Sequence, residues 1–306
     1  MTAYVLRRLL QMVPVVFGIT LIVFLLVRSA GDPVVLLLPE DATQEQIELL
    51  RTSLGLDRPV MEQYVRYLGN LVRGDFGTSL RFRNQDAFQI TIERLPATLQ
   101  LASAALLVAI VISLPAGIIA ATNRNRWPDR LASTMSVIGE AMPNFWLGIM
   151  LILVFSVQFG IFPVSGRGTL AHLALPALTL GTALAALLTR LMRSSLLEVL
   201  NQDYVRTATA KGLRRRVVLN KHALRNALLS YVTVLGLQVA SLMAGAVVTE
   251  QVFAWPGIGL LAIQAINSRD MAIIQTVVII ASLVVMFANL IVDVVYSLID
   301  PRITYS

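Results

Sequence analysis

The sequence predicts an all-α membrane protein of six transmembrane helices, with a small helical segment outside the membrane after the first. Three observations predict it. Of 306 residues, 56% are hydrophobic and 14% are charged, whereas a soluble domain carries about 25% charged residues. The charge deficit is concentrated in six long apolar runs. Lys and Arg gather in alternate connections between those runs, as the positive-inside rule requires.

A helix needs about 20 apolar residues to cross a hydrocarbon core of about 30 Å. Residues 9–27 supply the first. Arg7 and Arg8 before them resemble the start of a signal peptide. The run is longer than the roughly 7–15 residue apolar core of a signal sequence, and Arg28-Ser29-Ala30-Gly31 is a poor cleavage site, so an uncleaved helix is expected. Residues 97–121 form the second run. Residues 135–158 form the third, interrupted by Glu140 and Pro143. Residues 173–189, 227–248 and 272–298 complete the set. Backbone polar groups must be paired within each segment in lipid, so each run reads as helix. On the fifth, Ala240 with Ala244 and Ser241 with Gly245 are small pairs that permit close helix packing.

Arg7 and Arg8 place the N-terminus in the cytoplasm. Arg124, Arg126 and Arg130 mark the next inner connection. Arg190, Arg193, Arg206, Lys211, Arg214, Arg215, Arg216, Lys221 and Arg225 mark the one after the fourth run. The connections 159–172 and 249–271 carry only Arg167 and Arg269. Both termini are therefore expected inside. Segment 29–96 is then external. Its seven Arg and ten acids do not oppose this, because long segments translocate largely regardless of charge.

Within that segment, Thr43-Gln44-Glu45-Gln46 has the form of a capping box, with Ile47, Leu50 and Leu54 on one helix face. Gly55 ends that helix. Pro59 opens a second, with Met61, Tyr64, Val65, Leu68 and Val72 at helical spacing up to Gly74. The expected divisions are 1–28, the cytoplasmic N-terminus and first span; 29–96, the external segment; 97–298, a five-helix core with a cytoplasmic loop at 190–226; and 299–306, a cytoplasmic tail.

Catalytic signatures are missing. His172 is expected outside and His222 inside, so the two histidines share no site. There is no His-Glu-x-x-His, no cysteine and no Gly-x-Ser-x-Gly. Gly257-Ile258-Gly259-Leu260-Leu261-Ala262 follows Trp255-Pro256 and not a strand, so it reads as a turn at a helix end. No phosphate-binding Gly-x-x-x-x-Gly-Lys-Ser/Thr occurs. The chain is not expected to be an enzyme or to hold a metal or cofactor, and its net charge of +7 reflects topology and not nucleic acid. Two acids interrupt apolar runs. Glu140 reads either as functional or as structurally paired, while Asp293, a turn after Asn289, reads as helix–helix packing.

The basic loop is more distinctive. Leu196, Leu197 and Leu200 carry the fourth helix onward. Asn201, Gln202 and Asp203 can cap a short helix over residues 204–211. Thr207, Ala208, Thr209 and Ala210 keep its surface small, so that it fits a groove on another protein, and Gly212 ends it. Arg214, Arg215 and Arg216 then reach the lipid headgroups.

This loop resembles the coupling helix of inner-membrane permeases of binding-protein-dependent ABC importers, in the dipeptide/oligopeptide/nickel branch. Arg206-Thr207-Ala208-Thr209-Ala210-Lys211-Gly212 stands where the group has Glu-Ala-Ala-x-x-x-Gly. The Glu is absent, but the branch favours a Tyr-x-Arg-Thr-Ala-x-Ala-Lys-Gly form. His222-Ala223-Leu224-Arg225-Asn226-Ala227-Leu228 resembles the segment that follows, with Ser230 where the branch has a kinking Pro. Leu54-Gly55-Leu56-Asp57-Arg58-Pro59, Gly74-Asp75-Phe76-Gly77-Thr78-Ser79, Arg94-Leu95-Pro96-Ala97-Thr98, Met142-Pro143-Asn144-Phe145-Trp146-Leu147-Gly148, Val252-Phe253-Ala254-Trp255-Pro256-Gly257 and Asp300-Pro301-Arg302 resemble further parts of the branch, in order.

The resemblance implies a type I ABC importer permease fold in the bacterial inner membrane. It implies three kinds of partner: a second homologous permease, expected as a heterodimer; two ATPase subunits carrying ATP and Mg; and a periplasmic binding protein. ATPase docking would fall to Asp203, Tyr204, Arg206, Thr207, Ala208, Ala210, Lys211, Gly212 and Leu213. The translocation path would draw on Glu140, Met142, Pro143, Asn144, Phe145 and Gln238. Di- and oligopeptides are the expected cargo, with nickel chelates, glutathione or opines as alternatives. A self-contained secondary transporter or channel is the reading from another class.

Overall fold

The computed structural model describes residues 2–29, 43–53, 55–79, 81–82 and 85–299. The helices are α1 Thr2–Ser29, α2 Gln44–Ser53, α3 Val60–Val72, α4 Ala87–Thr122, α5 Trp127–Ala141 and α6 Asn144–Leu151, followed by α7 Leu170–Leu200, α8 Asp203–Ala210, α9 Leu224–Val252, α10 Ile258–Asn267 and α11 Met271–Ile299. Helix α6 widens into a π-helical segment, Ile152–Gln158, and α9 is entered through the turn Arg215–Val217 and a second π segment, Val218–Ala223. Five helices are long and apolar enough to cross a membrane, and the bent pair α5 and α6 makes a sixth if counted as one span.

The spans run past the apolar cores that mark them in the sequence. Helix α4 has 36 residues, about 54 Å at 1.5 Å per residue, and so exceeds a hydrocarbon core of about 30 Å. The third span is not merely kinked at Pro143. Met142 and Pro143 both leave the helical region, with ψ of 127° and 132°, and α5 and α6 meet at 104°. By contrast, α9 runs unbroken through Ser230, because Ser keeps the N–H that Pro would remove.

The chain divides into two compact units, residues 1–96 with 257–286 and residues 97–256 with 287–306. In the first, α3 lies against α1 through Tyr64, whose hydroxyl reaches Thr20 Oγ1 at 3.0 Å and donates to the Phe17 carbonyl at 3.1 Å. The capping box at α2 is present: Thr43 N–H donates to Gln46 Oε1 at 3.0 Å, and Gln46 N–H to Thr43 Oγ1 at 3.4 Å. Gly55 ends α2 in the left-handed conformation, φ +66°. The apolar stripe expected on α3 is only partly used. Tyr64 is buried, while Met61, Val65 and Val72 stay exposed. The inward face is set instead by Gln63 and Tyr64. Leu54 and the side chain of Leu50 lie outside the described residues.

Also in the first unit, Asp270 is 1% exposed. It accepts from Ser79 Oγ at 2.5 Å, Arg81 N–H at 3.2 Å and Ile273 N–H at 3.3 Å. One carboxylate thus caps α11 and holds Ser79 and Arg81.

In the second unit the core follows one stripe of α7: Leu180, Leu184, Leu188, Met192 and Leu196 are buried there, with Leu101, Ala105 and Ala109 of α4 in the same cluster. Trp255 is buried, with its indole N–H donating to the Ala97 carbonyl at 2.8 Å and the Arg167 guanidinium 5.8 Å from the ring centroid. Phe253 and Trp255 are thus packed inward on either side of the exposed Ala254.

Candidate functional site

Helix α8 covers Asp203–Ala210, one residue earlier than the spacing predicts. Its local causes are simple. Gln202 is extended and ends the preceding turn. Asp203 places a negative charge on the first turn, where the helix dipole favours it. Gly212 at φ +74° takes a conformation that costs other residues about 1–2 kcal/mol.

Two side chains hold α8 from below. Val205 and Ala208 are buried with Val218, and Val199 and Leu200 pack beside them. Their i, i+3 spacing puts both on one face. Ala208, one of the residues expected at the docking surface, is 6% exposed and packs with Val205 and Val218 beneath the helix. The outward face consists of Asp203, Tyr204, Arg206, Thr207, Ala210 and Lys211, with Gly212 and Leu213 following, all exposed. Tyr204 is also an anchor, since its hydroxyl accepts from Asn226 Nδ2 at 2.7 Å and ties α8 to α9. Thr207 and Thr209 donate back to the carbonyls of Asp203 and Val205, so neither hydroxyl is committed elsewhere in this unit. The Arg206–Asp203 pair, at 3.6 Å and exposed, adds little by itself.

Behind α8 lies a cavity of about 510 Å³, walled by Leu197, Leu200, Val205 and Val218 with Arg124 and Arg215 on its edge. Arg215 donates to the Thr122 carbonyl at 3.3 Å.

The break between α5 and α6 brings Met142, Pro143, Asn144 and Phe145 to one bend. Pro143 and Phe145 are exposed, and Met142 and Asn144 are half-buried. Asn144 Nδ2 lies 3.8 Å from the position of a Cβ on Gly245 of α9. Gln238 is half-buried on α9, about two turns before Gly245. Glu140 pairs with Arg190 at 2.5 Å, both side chains half-exposed. One turn further along α7, Arg193 forms a two-pronged contact with buried Asp129. Two ion pairs therefore fasten α5 to α7. Of these, Asp129–Arg193 is the costlier to break from the arginine side, because removing Arg193 strands the Asp129 carboxylate, 3% exposed, without its cation.

Sequence reasoning overlooks three buried acids: Asp129, Glu250 and Asp270. Glu250 is 0% exposed and accepts from Thr98 Oγ1 at 2.6 Å. It sits at the edge of an apolar run, where an acid reads as the start of a loop. The signal available was the adjacent Thr249-Glu250-Gln251 preceding an aromatic cluster, which marks a helix end that is packed and not solvated. His172 has a structural part, with Nδ1 accepting from Thr169 N–H at 3.2 Å at the start of α7. Gly257 likewise precedes α10 with no strand before it. The side chain of Asp293 and residues 300–302 lie outside the described residues.

Residues 113–305 match the family model described as binding-protein-dependent transport system inner membrane component, and residues 1–102 match the model of its N-terminal part. The chain is 44% identical, over 306 residues and the full length of each relative, to the glutathione transport system permease protein GsiC of Escherichia coli K12 and of Shigella dysenteriae serotype 1. Among solved structures it is similar to the MetNI methionine ABC transporter in an inward-facing conformation, with TM-score 0.61 and 19% identity over 69% of this chain and 97% of that one. A second is an amino acid ABC transporter, with TM-score 0.54 and 16% identity over 70% and 94%. At these identities the solved structures establish a shared fold.

Proposed function

Because the chain belongs to the family of binding-protein-dependent transport system inner membrane components, and is thus a permease subunit of an ABC importer, we propose that it carries short peptides, glutathione first among them. The observation that carries the substrate reading is the 44% identity over the full chain to glutathione permeases. Glutathione is itself a short peptide, so this reading and the di- and oligopeptide reading meet in one chemistry.

In this proposal the chain forms half of the path and a second, homologous permease forms the other half. Two ATPase subunits bind ATP and Mg and perform the hydrolysis, and a periplasmic binding protein delivers the solute. Each ATPase holds one coupling helix. Here that helix is α8, with Asp203, Tyr204, Arg206, Thr207, Ala210, Lys211, Gly212 and Leu213 as its outer surface. The single apolar seam beneath α8 supports this role, because it lets a push on the helix pass into α7 and α9 as a rigid displacement. The bend at Met142–Phe145 supplies the bistable element such a displacement can bias.

The test is uptake into proteoliposomes by the chain assembled with its cognate partners. ATP-dependent accumulation of glutathione or dipeptides is expected, and none with the binding protein omitted. Accumulation by this chain alone, without ATP, would overturn the reading. Orientation has its own test. The chain has no cysteine, so Arg215→Cys, on an exposed turn, should react with a membrane-impermeant maleimide only from the cytoplasmic side. Labelling of intact spheroplasts from outside would invert the topology.

A further inference from the structure

A second cavity, of about 380 Å³, lies at the Arg28 end of α1, bounded by the Gly55 turn, α3 and the first turns of α11. Phe24, Leu56 and Met271 give it an apolar wall, and Arg28, Arg66 and Tyr67 supply polar groups. All of these belong to the first compact unit.

Among the described residues, its lining carries two arginines and no acid. Arg28 donates to the neutral side chain of Gln63. Arg66 reaches Glu62 at 3.6 Å, but Arg58 already engages that carboxylate closely. The two guanidiniums of Arg58 and Arg66 converge over Gly55, where a Cβ would lie 3.4 Å from Arg66 Nη1 and 3.8 Å from Arg58 Nε. Among the described residues, Glu62 is shared by both guanidiniums, one carboxylate against two cations.

The donors are also held in place. Gln63 is 9% exposed. Its amide N–H groups donate to the carbonyls of Leu56 at 3.1 Å and Arg58 at 2.7 Å, leaving its oxygen for Arg28. The Tyr67 ring stacks on Phe24, with centroids 5.7 Å apart and planes at 29°. The Tyr67 hydroxyl is buried and has no hydrogen-bond partner among the described residues. Burial, and then the neighbouring Tyr64, push this phenol well above its ordinary range, so it keeps its proton and remains a donor. A buried hydroxyl without a partner is uncommon in folded proteins and asks for an occupant.

We propose that this pocket binds the carboxylate of a small peptide-like solute on the outer face of the permease. Arg28 and Arg66 match a carboxylate with planar, forked donors, and Tyr67 adds a third hydrogen bond. Asn70 and Gln275, also on the lining, offer amides to peptide groups, while Phe24 and Met271 receive an apolar side chain. The volume lies within the range of about 300–1,000 Å³ found for small-molecule sites. The proposal rests on the peptide-permease reading, which places this end of α1 outside.

The test uses the importer assembled with cysteine-free partners in nanodiscs of phosphatidylcholine, with Gly69→Cys, exposed beside the pocket but not on its lining, carrying an environment-sensitive fluorophore. Glutathione should change the emission saturably. Glutathione diethyl ester should bind about tenfold more weakly or worse, as should glutathione to Arg28→Gln, while Tyr67→Phe should weaken it about threefold. Each variant is first checked for wild-type assembly and melting temperature, and Arg28→Lys should recover part of the affinity. Equal responses to glutathione and its diester, or an unchanged response in Arg28→Gln, overturn the site. So does a saturating response to phosphatidylglycerol in the nanodisc that glutathione cannot displace, which would assign the pocket to a lipid headgroup. Uptake without any emission change removes the site and leaves the function standing; an emission change without uptake does the reverse.

Discussion

Gly212→Glu is expected to leave the chain folded in the membrane while ATP-driven uptake falls by about 30-fold or more, the equivalent of losing a contact of about 2 kcal/mol at the centre of an interface. The reasons for each half are separate. No atom lies within 4 Å of the position a Cβ would take on Gly212, so the side chain meets open space and the bundle is not disturbed. Its φ of +74° costs a non-glycine residue about 1–2 kcal/mol, a local strain at the end of α8. The new carboxylate then stands on the outer surface beside Lys211 and Arg214. It alters both the shape and the sign of charge that an ATPase groove would meet.

Gly212→Ala separates these effects, since it keeps the strain and omits the charge and most of the bulk. Its uptake should stay within about threefold of wild type, because strain of about 1–2 kcal/mol lowers the stability of the folded bundle and not the docking contact. The measurement is uptake by equal amounts of monodisperse protein, with ATPase co-purification scored alongside. Wild-type uptake by the Glu variant would remove α8 from the docking surface.

The position of α8 was legible because its signals are local. A polar cap before it, small residues within it and glycine after it need no tertiary information. The direction of its faces was less legible. Small residues read as a docking surface, yet Val205 and Ala208 at i, i+3 already marked an inward stripe, and the structure buries both. The spans were legible as apolar runs. Their true ends were not, because hydropathy fades at the interface while the backbone remains helical: α4 begins at Ala87, ten residues before its apolar run.

The buried acids fall in the same blind region. Asp129, Glu250 and Asp270 each follow or precede an apolar run, and a window average cannot distinguish a solvated acid there from one clasped by Arg193, Thr98 or Ser79. The π segments Ile152–Gln158 and Val218–Ala223 leave no compositional trace at all. A widened turn arises from packing on either side of it, and such insertions favour functional regions. The second of them lies directly under α8 through Val218.

Gly181→Val should be the most damaging single substitution for the fold, costing about 3 kcal/mol or more through overpacking that cannot relax. A Cβ on Gly181 would lie 2.7 Å from the carbonyl oxygen of Ala105, with Val108 side-chain atoms at 3.0 and 3.1 Å. A valine side chain can change rotamer, but a backbone carbonyl inside α4 cannot withdraw without breaking its own helix. The strain therefore falls on the α4–α7 seam, where Leu101, Ala105, Leu184 and Leu188 share one buried cluster. Gly181→Ala introduces the same first contact with less volume and should fall between wild type and the Val variant. Gly69→Ala provides the opposite case: Gly69 is helical, and its Cβ would meet nothing within 4 Å, so alanine there should be neutral or stabilise by about 0.5–1 kcal/mol through lost backbone freedom in the unfolded chain. Thermal melting of the three variants in one detergent checks the order. If Gly181→Val melts with wild type, the close approach of α4 and α7 is wrong, and with it the rigid seam through which a push on α8 would reach the rest of the bundle.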